Sequence, residues 1–213
     1  MLYKSILNVV GVVAVAAAVM LTECGGNSGA GPNNPDNPDI GGGKGSDISN
    51  YKTVMIGTQK WMAENLDNAI AGSVCYDNNS SNCATYGRLY TWDAANRACP
   101  SGWHLPSDAE WNILVENAGG LSMAGGKLKS ASGWYDNGNG TDDFGFSALP
   151  GGDGNGYGHF DNTAGFRGRW WSATTATKDS MSMGLTMSDN DTCVVWNGYF
   201  WPRQFSVRCV QDN

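Results

Sequence analysis

The strongest local signals in this chain lie in Cys99-Pro-Ser-Gly-Trp-His-Leu-Pro-Ser-Asp-Ala-Glu-Trp111. Ser107 and Glu110 have the spacing of a capping box, in which each side chain accepts a hydrogen bond from a backbone N–H at the start of a helix. Apolar residues then recur at helical spacing as far as Ala118, where two glycines end the pattern. The stretch therefore predicts a cysteine-anchored turn that leads into one amphipathic helix of about three turns.

The first residues resemble an export signal. Residues 6–21 form an almost uninterrupted apolar run of about 16 residues, which is short for a membrane span and typical of a secretory signal. Cys24 follows closely, as in a bacterial lipoprotein signal, although Glu23 stands where a small residue is usual. We expect residues 1–23 to be a lipoprotein-type signal peptide and Cys24 to carry the lipid. The alternative is an ordinary secretory signal or a single membrane anchor.

A stalk and one domain are expected to follow. Both interpretations of the signal export the chain, and lipidation would anchor it in the bacterial envelope, at the outer membrane or the cell surface. Residues 24–49 are mostly Gly, Asn, Pro, Asp and Ser, with too little apolar content to bury a core, so we predict a flexible stalk. Residues 50–213 contain all nine tryptophans and have the length of one domain with a hydrophobic core.

The charge of the chain excludes one class of partner. Its 213 residues carry a formal net charge of −7, and no stretch forms a basic stripe. Nucleic acid is bound through clustered Lys and Arg side chains. We therefore expect no nucleic-acid partner, and we expect no electrostatic attraction to anionic lipid.

The domain holds five of the six cysteines, and an exported chain permits disulfides. Cys75 and Cys83 flank a turn-rich segment, which favours a local bridge. We expect Cys99 to be joined to Cys209 in the last strand, although Cys193 could instead pair with Cys209 across a hairpin. No Cys-x-x-Cys pair of the kind that binds zinc occurs, so we predict no metal cluster.

The order of local signals predicts an α+β domain. Thr91 is a candidate N-cap for a second short helix over residues 91–98, and the segment between Cys75 and Cys83 is expected to be a loop. Thirty glycines favour long Gly-rich loops around a small twisted antiparallel sheet. The expected strands are residues 51–57, 59–64, 144–149, 169–173, 181–187, 192–197 and 205–210.

Several blocks, read in order, closely resemble the FISUMP family, the Fibrobacter succinogenes major paralogous domain. They include Trp61-Met-Ala-Glu-Asn-Leu66, Gly102-Trp-His-Leu-Pro106, Trp170-Trp-Ser-Ala-Thr174 and Phe205-Ser-Val-Arg-Cys-Val210, and the resemblance covers about residues 50–212. It implies an exported or lipid-anchored surface protein without an established activity. More distant similarity to the DUF1566 and sulfatase-modifying families implies a C-type-lectin-like fold with its termini close together.

No constellation of catalytic residues stands out, and we predict that the chain is not an enzyme. Glu110 is accounted for by helix capping, and His104 lies in an apolar block where we expect a packed, hydrogen-bonded core residue. The paired cysteines of formylglycine-generating enzymes are not present. Residues 136–143 and 189–191 are rich in oxygen ligands, which leaves calcium open as a cofactor, but their spacing does not fit an EF-hand and Asx-turns explain them equally well.

Aromatic residues in polar loops are the best candidates for a ligand site. Exposed aromatic rings can stack on sugar rings while polar neighbours bind the hydroxyl groups. We therefore predict a non-enzymatic, surface-displayed binding module for a polysaccharide or a surface protein. The alternatives are that the rings pack inward and that the protein is a structural envelope component without a specific ligand. The candidate residues are Trp134, Tyr157, Trp196, Tyr199 and Trp201.

Overall fold

The computed structural model describes residues 43–177 and 180–213. The predicted signal peptide, the lipidation of Cys24 and most of the predicted stalk lie outside these residues. The last stalk residues that are described contact the domain, since Lys44 forms an ion pair with Glu64 and the Tyr51 hydroxyl donates to the Gly45 carbonyl at 2.9 Å. Within the described ranges, none of the helices combines the length and the apolar character needed to cross a membrane.

The α+β class is confirmed, with more helix than expected. The described part contains four α-helices, α1 (Ser80–Tyr86), α2 (Trp92–Ala98), α3 (Asp108–Asn117) and α4 (Ala124–Leu128), and 3-10 turns at Ile48–Asn50 and Tyr76–Asn78. Its nine strands are β1 (Thr53–Ile56), β2 (Gln59–Met62), β3 (Ser73–Val74), β4 (Leu89–Tyr90), β5 (Trp103–His104), β6 (Arg167–Thr177), β7 (Met181–Ser188), β8 (Val195–Phe200) and β9 (Val210–Gln211).

The strands form three small antiparallel sheets. The first has the order β1-β2-β9-β5, so the last strand of the chain lies between two early ones, with Val210 opposite both Trp61 and His104. The second is the pair β3-β4, and the third is the meander β6-β7-β8. Long loops join these elements, as the glycine content predicts.

The capping box and helix α3 are confirmed. The Ser107 N–H donates to Glu110 Oε2 at 2.8 Å, and the Ser107 hydroxyl oxygen accepts from the Glu110 N–H. Trp111, Leu114 and Val115 are buried on the inner face of the helix. The sequence pattern therefore positioned this element correctly.

The sheet β6-β7-β8 separates two hydrophobic cores. Trp170 and Trp171 are consecutive on β6 and point to opposite faces of the sheet. Trp170 packs with Leu185, Trp111 and the rest of one core, whereas Trp171 packs with Phe205 in the other. Both rings are fully buried. This sheet is therefore the central layer of the domain.

Both predicted disulfides are confirmed. Cys75 is bonded to Cys83, and Cys99 is bonded to Cys209, with Cα–Cα distances of 5.0 and 5.9 Å. Neither bridge includes Cys193. The second bridge ties the turn before β5 to the residue preceding β9, next to their paired strands.

Five local predictions were wrong. The segment after Cys75 is helical rather than a loop, because Asn79 caps α1 by accepting the Ser81 N–H. Helix α4 was not predicted, so the described residues contain two more α-helices than the two that the sequence predicted. Residues 144–149 form no named strand, and only Ala148 makes an isolated bridge, to Lys129. Strand β8 begins three residues later than expected, since residues 189–194 form a loop instead. Of the strand expected over residues 205–210, only Val210 belongs to a strand, whereas Phe205 and Ser206 form isolated bridges.

Candidate functional site

The predicted aromatic residues do not form one surface. Trp134 is only 4 % exposed, and its Nε1–H donates to the Ala148 carbonyl at 2.9 Å, so the prediction that it is an exposed platform was wrong. Trp196 is half-buried against the first core. These two rings fill space inside the domain, in agreement with the alternative that the aromatic rings pack inward.

Two further candidates, Trp201 and Tyr157, differ in how accessible their rings are. Trp201 is half-buried and stacks on Trp92, with ring centroids 4.9 Å apart, while its Nε1–H donates to Ser182 Oγ at 2.9 Å. Tyr157 is 62 % exposed at the tip of a loop that turns on Asn155. Trp201 is thus held by structural contacts, whereas the Tyr157 ring is accessible.

Tyr199 is the one candidate that lines a cleft described here. The cleft has a volume of about 560 Å³ and lies on the face of β6-β7-β8 that also carries Trp171. Two loops wall it, one before β6 and one between β7 and β8. The lining residues are Asp161, Asn162, Thr163, Phe166, Arg167, Arg169, Thr186, Ser188, Asp189, Asn190, Asp191, Val195, Asn197 and Tyr199.

The ring of Tyr199 closes one end of the cleft against the second core. It packs edge-on against Phe205 with ring centroids 4.8 Å apart, and its hydroxyl oxygen lies 3.1 Å from Thr186 Oγ1. Gly184 permits this position, because a Cβ there would lie 3.0 Å from the Tyr199 ring. The guanidinium of Arg169 lies over the same ring, 5.6 Å from its centroid.

A buried carboxylate supports the floor of the cleft. Asp153 is completely buried and forms ion pairs with Arg169 and with Arg203, the latter at 2.7 Å. The hydroxyl of Thr163 donates to Asp153 Oδ1 at 2.9 Å, and Arg203 also reaches Asp161 at 3.1 Å. The charges of these arginines are therefore balanced by carboxylates within the protein.

An exposed aromatic pair lies at the rim of the cleft, and the sequence pattern did not predict it. Phe166 is 38 % exposed and lines the cleft, and the Tyr135 ring packs against it edge-on with centroids 4.9 Å apart. Gly165, at φ +87°, allows this approach, since a Cβ there would lie 2.5 Å from the Tyr135 ring. The glycine before Phe166 was the only local signal of a close contact.

The oxygen-rich segments considered for calcium have protein donors. Asp142 accepts the Ser147 N–H at 2.7 Å, and Asn139 accepts the Trp134 N–H at 3.0 Å. In the loop between β7 and β8, the ammonium group of buried Lys129 donates to the carbonyls of residues 188, 189 and 191 at 2.9, 3.3 and 2.9 Å. These three carbonyls therefore accept hydrogen bonds from a cationic side chain of the protein.

His104 is hydrogen-bonded as expected, but it is not a core residue. Its side chain is 41 % exposed, with Nδ1 2.6 Å from Asp212 and Nε2 2.7 Å from Glu110. Partial burial alone would lower the pKa of His104, but the hydrogen bonds and charges of these two carboxylates outweigh it and raise the pKa. The group links β5, α3 and the chain after β9. Across the residues with described positions, no group of three or more His, Cys, Asp or Glu is arranged to hold a metal ion.

One comparison with known proteins gives a match. A family model described as the Fibrobacter succinogenes major domain matches residues 54–211, which is most of the chain. No curated protein and no solved structure shows a significant match. The matched range contains all nine strands except the first residue of β1, and it contains the cleft.

Proposed function

The chain belongs to the Fibrobacter succinogenes major domain family, and we propose that it is an exported, non-enzymatic binding module that takes its ligand in the cleft on β6-β7-β8. The observation that carries the proposal is this cleft of about 560 Å³, a volume typical of small-molecule sites. Its polar side chains stand on a sheet between two cores, so a ligand would meet a preformed surface.

Surface display is the second part of the proposal. The two disulfides support an oxidising compartment, because such bonds are rare in cytosolic proteins. The apolar run before Cys24 supports lipidation and an envelope anchor at the outer membrane or cell surface. Fractionation of the host bacterium tests this part. The full chain should be found with the membranes, and a Cys24→Ser variant should be released from them; a variant that stays membrane-bound would contradict lipidation.

A C-type-lectin-like architecture belongs to the same proposal. It is supported by the α+β composition and by the pairing of β2 with β9, which brings the first and last parts of the domain together. An experimental structure of the chain, superposed on lectin-like domains, tests this assignment. A different strand order in the superposed sheets would contradict it.

The binding function can be tested by filling the cleft. Asn197 is exposed on β8 and lines the cleft, so Asn197→Trp should block it without disturbing either core. Asn112→Trp makes the same change at an exposed site on α3, outside the cleft, and serves as the matched control. The purified full chain is incubated with insoluble polysaccharides and with envelope fractions. We expect retention by the parent chain and the control, and loss of retention by Asn197→Trp.

Two outcomes would contradict the proposal. Equal retention of both variants would show that binding occurs elsewhere. No retention of the parent chain on any fraction would favour a structural envelope component without a specific ligand.

A further inference from the structure

We propose that the cleft binds an uncharged saccharide, with the sugar ring stacked on Phe166 and its hydroxyl groups bound at the sheet face. This inference rests on the proposed function and names the ligand class for the same site. Three properties of the cleft lead to it: its charge balance, its supported aromatic rim and its mixture of donors and acceptors.

The charges around the cleft do not select an ion. Arg169 is paired with the buried Asp153, and Arg203 is shared between Asp153 and Asp161. The remaining charged side chains of the lining have both signs, since they include Arg167 on β6 and also Asp189 and Asp191 in the loop that follows β7. A site for a phosphorylated or sulfated ligand would instead present several cations without protein partners. The cleft therefore suits a polar ligand without net charge.

The aromatic rim offers a flat apolar surface in a fixed position. The Phe166 carbonyl accepts the Asp189 N–H at 2.9 Å, and its own N–H donates to the Thr163 carbonyl at 3.0 Å, so its backbone is tied to both walls of the cleft. Tyr135 packs against the ring from the side. An exposed ring held in this way can cover the C–H face of a pyranose, which buries apolar surface on both partners.

The sheet face supplies hydrogen-bonding groups of both kinds. The exposed Asn197 carries an amide with two donors and an acceptor oxygen, and Asn190 offers the same group from the opposite loop. The hydroxyls of Thr186 and Tyr199 are hydrogen-bonded to each other at 3.1 Å, which leaves the pair one O–H donor and further acceptor lone pairs for a ligand. Sugar hydroxyls also donate and accept, so this mixture matches them. A hydrocarbon ligand would leave these groups without partners, at a cost to binding.

The experiment measures binding of the purified full chain to neutral oligosaccharides of glucose, xylose and mannose. Oligogalacturonate and chitosan oligomers serve as anionic and cationic probes. We expect binding to at least one neutral series, with a dissociation constant that stays within about twofold between about 50 mM and about 500 mM sodium chloride. Phe166→Ala should weaken this binding by about tenfold.

Phe200→Ala is the matched control, since Phe200 is also an exposed phenylalanine but lies outside the cleft lining. It should leave the dissociation constant unchanged. Binding that Phe200→Ala or Tyr157→Ala weakens and Phe166→Ala does not would overturn the inference. Circular dichroism of each variant confirms that the change is not a loss of folding.

The result also separates this inference from the proposed function. Binding only to the charged oligomers, or a strong salt dependence, would overturn the saccharide class and leave the binding module intact. The parent chain could also be retained on envelope fractions, and lose this retention in Asn197→Trp, while it binds no neutral oligosaccharide. That result would likewise overturn the saccharide class and leave the binding module intact. Loss of both kinds of binding would overturn both proposals.

Discussion

Arg169 donates to the carboxylate of Asp153, a side chain with no exposed surface, and thereby joins strand β6 to the loop before it. The second oxygen of Asp153 binds Arg203, which belongs to the segment after β8. One buried carboxylate therefore holds three parts of the chain together beneath the cleft. The shape of the cleft depends on this residue although it does not line it.

Asp153→Asn should destabilise the protein strongly. The substitution keeps the size of the side chain but removes the charge that balances Arg169 and Arg203, and breaking one side of a buried ion pair typically costs about 3–5 kcal/mol. The free energy of unfolding in urea measures the effect. Asp161→Asn is the control, because Asp161 is exposed and should change this energy by less than about 1 kcal/mol. Equal effects of the two variants would contradict the structural role of Asp153.

Lys129→Met should loosen the loop between β7 and β8. The methionine keeps the apolar stem but leaves three carbonyls without their donor, at a cost of about 2–4 kcal/mol. Hydrogen exchange of the amides in residues 189–194 should become faster. Lys127→Met, two residues earlier and partly exposed, should stay within about 0.5 kcal/mol of the parent. Unchanged exchange in Lys129→Met would show that the carbonyls find other donors.

The two disulfides should differ in their contribution to stability. The bridge between Cys99 and Cys209 closes a sequence separation of 110 residues, and its removal should cost about 4.7 kcal/mol in the chain-entropy model. The bridge between Cys75 and Cys83 closes a separation of 8, and its removal should cost about 2.5 kcal/mol. Thermal unfolding of the paired Cys→Ser variants measures the difference. Cys193→Ser is the control, and a loss equal to that of Cys209→Ser would indicate a Cys193–Cys209 bridge.

The stability contributed by His104 should depend on pH. The folded state raises the pKa of His104 above its ordinary 6.5, so the stabilisation is complete below that value and disappears as the pH rises through the raised pKa. Partial burial raises the pKa of Glu110, but its bonds to Ser107 and His104 outweigh this and lower the pKa below the ordinary 4.5; its contribution is therefore lost only in stronger acid. His104 and Glu110 together therefore stabilise the folded state most between the ordinary pKa of Glu110, 4.5, and that of His104, 6.5.

The measurement compares the parent chain with His104→Gln in urea at about pH 5.5 and about pH 8.5. At about pH 5.5 the free energy of unfolding of the parent should exceed that of His104→Gln by less than about 1 kcal/mol. The gain is small because the His104 side chain is partly exposed and solvent screens its charges. This difference between the parent and His104→Gln should become smaller at about pH 8.5. A difference that grows with pH would contradict the assignment.

The sequence predicted the parts of the fold that have local causes. Helix α3 follows from Ser107 and Glu110, which form its capping box within four residues. Helix α4 was missed because Gly125 and Gly126 are poor helix formers. The structure needs them there, since a Cβ on Gly125 would lie 2.6 Å from the Cys193 carbonyl. A contact with a residue so distant in sequence leaves no periodic signal.

The candidate site was predicted only in part for the same reason. Tyr199 was identified, but Trp134 lies inside the domain, although its place in a polar loop had suggested exposure. The rim depends on Phe166 and Tyr135, and the floor depends on Asp153. Each of these residues gains its role from a partner on another element, and a single sequence does not pair such residues.

The position of β9 between β2 and β5 has a consequence for biosynthesis. A chain made from its N-terminus leaves a gap in this sheet until residues 210 and 211 have emerged, so the first sheet is completed only after synthesis of the domain has ended. The bond between Cys99 and Cys209 is subject to the same delay. Under the export that we propose, this sheet would be closed only after residues 210 and 211 have followed the rest of the domain across the membrane.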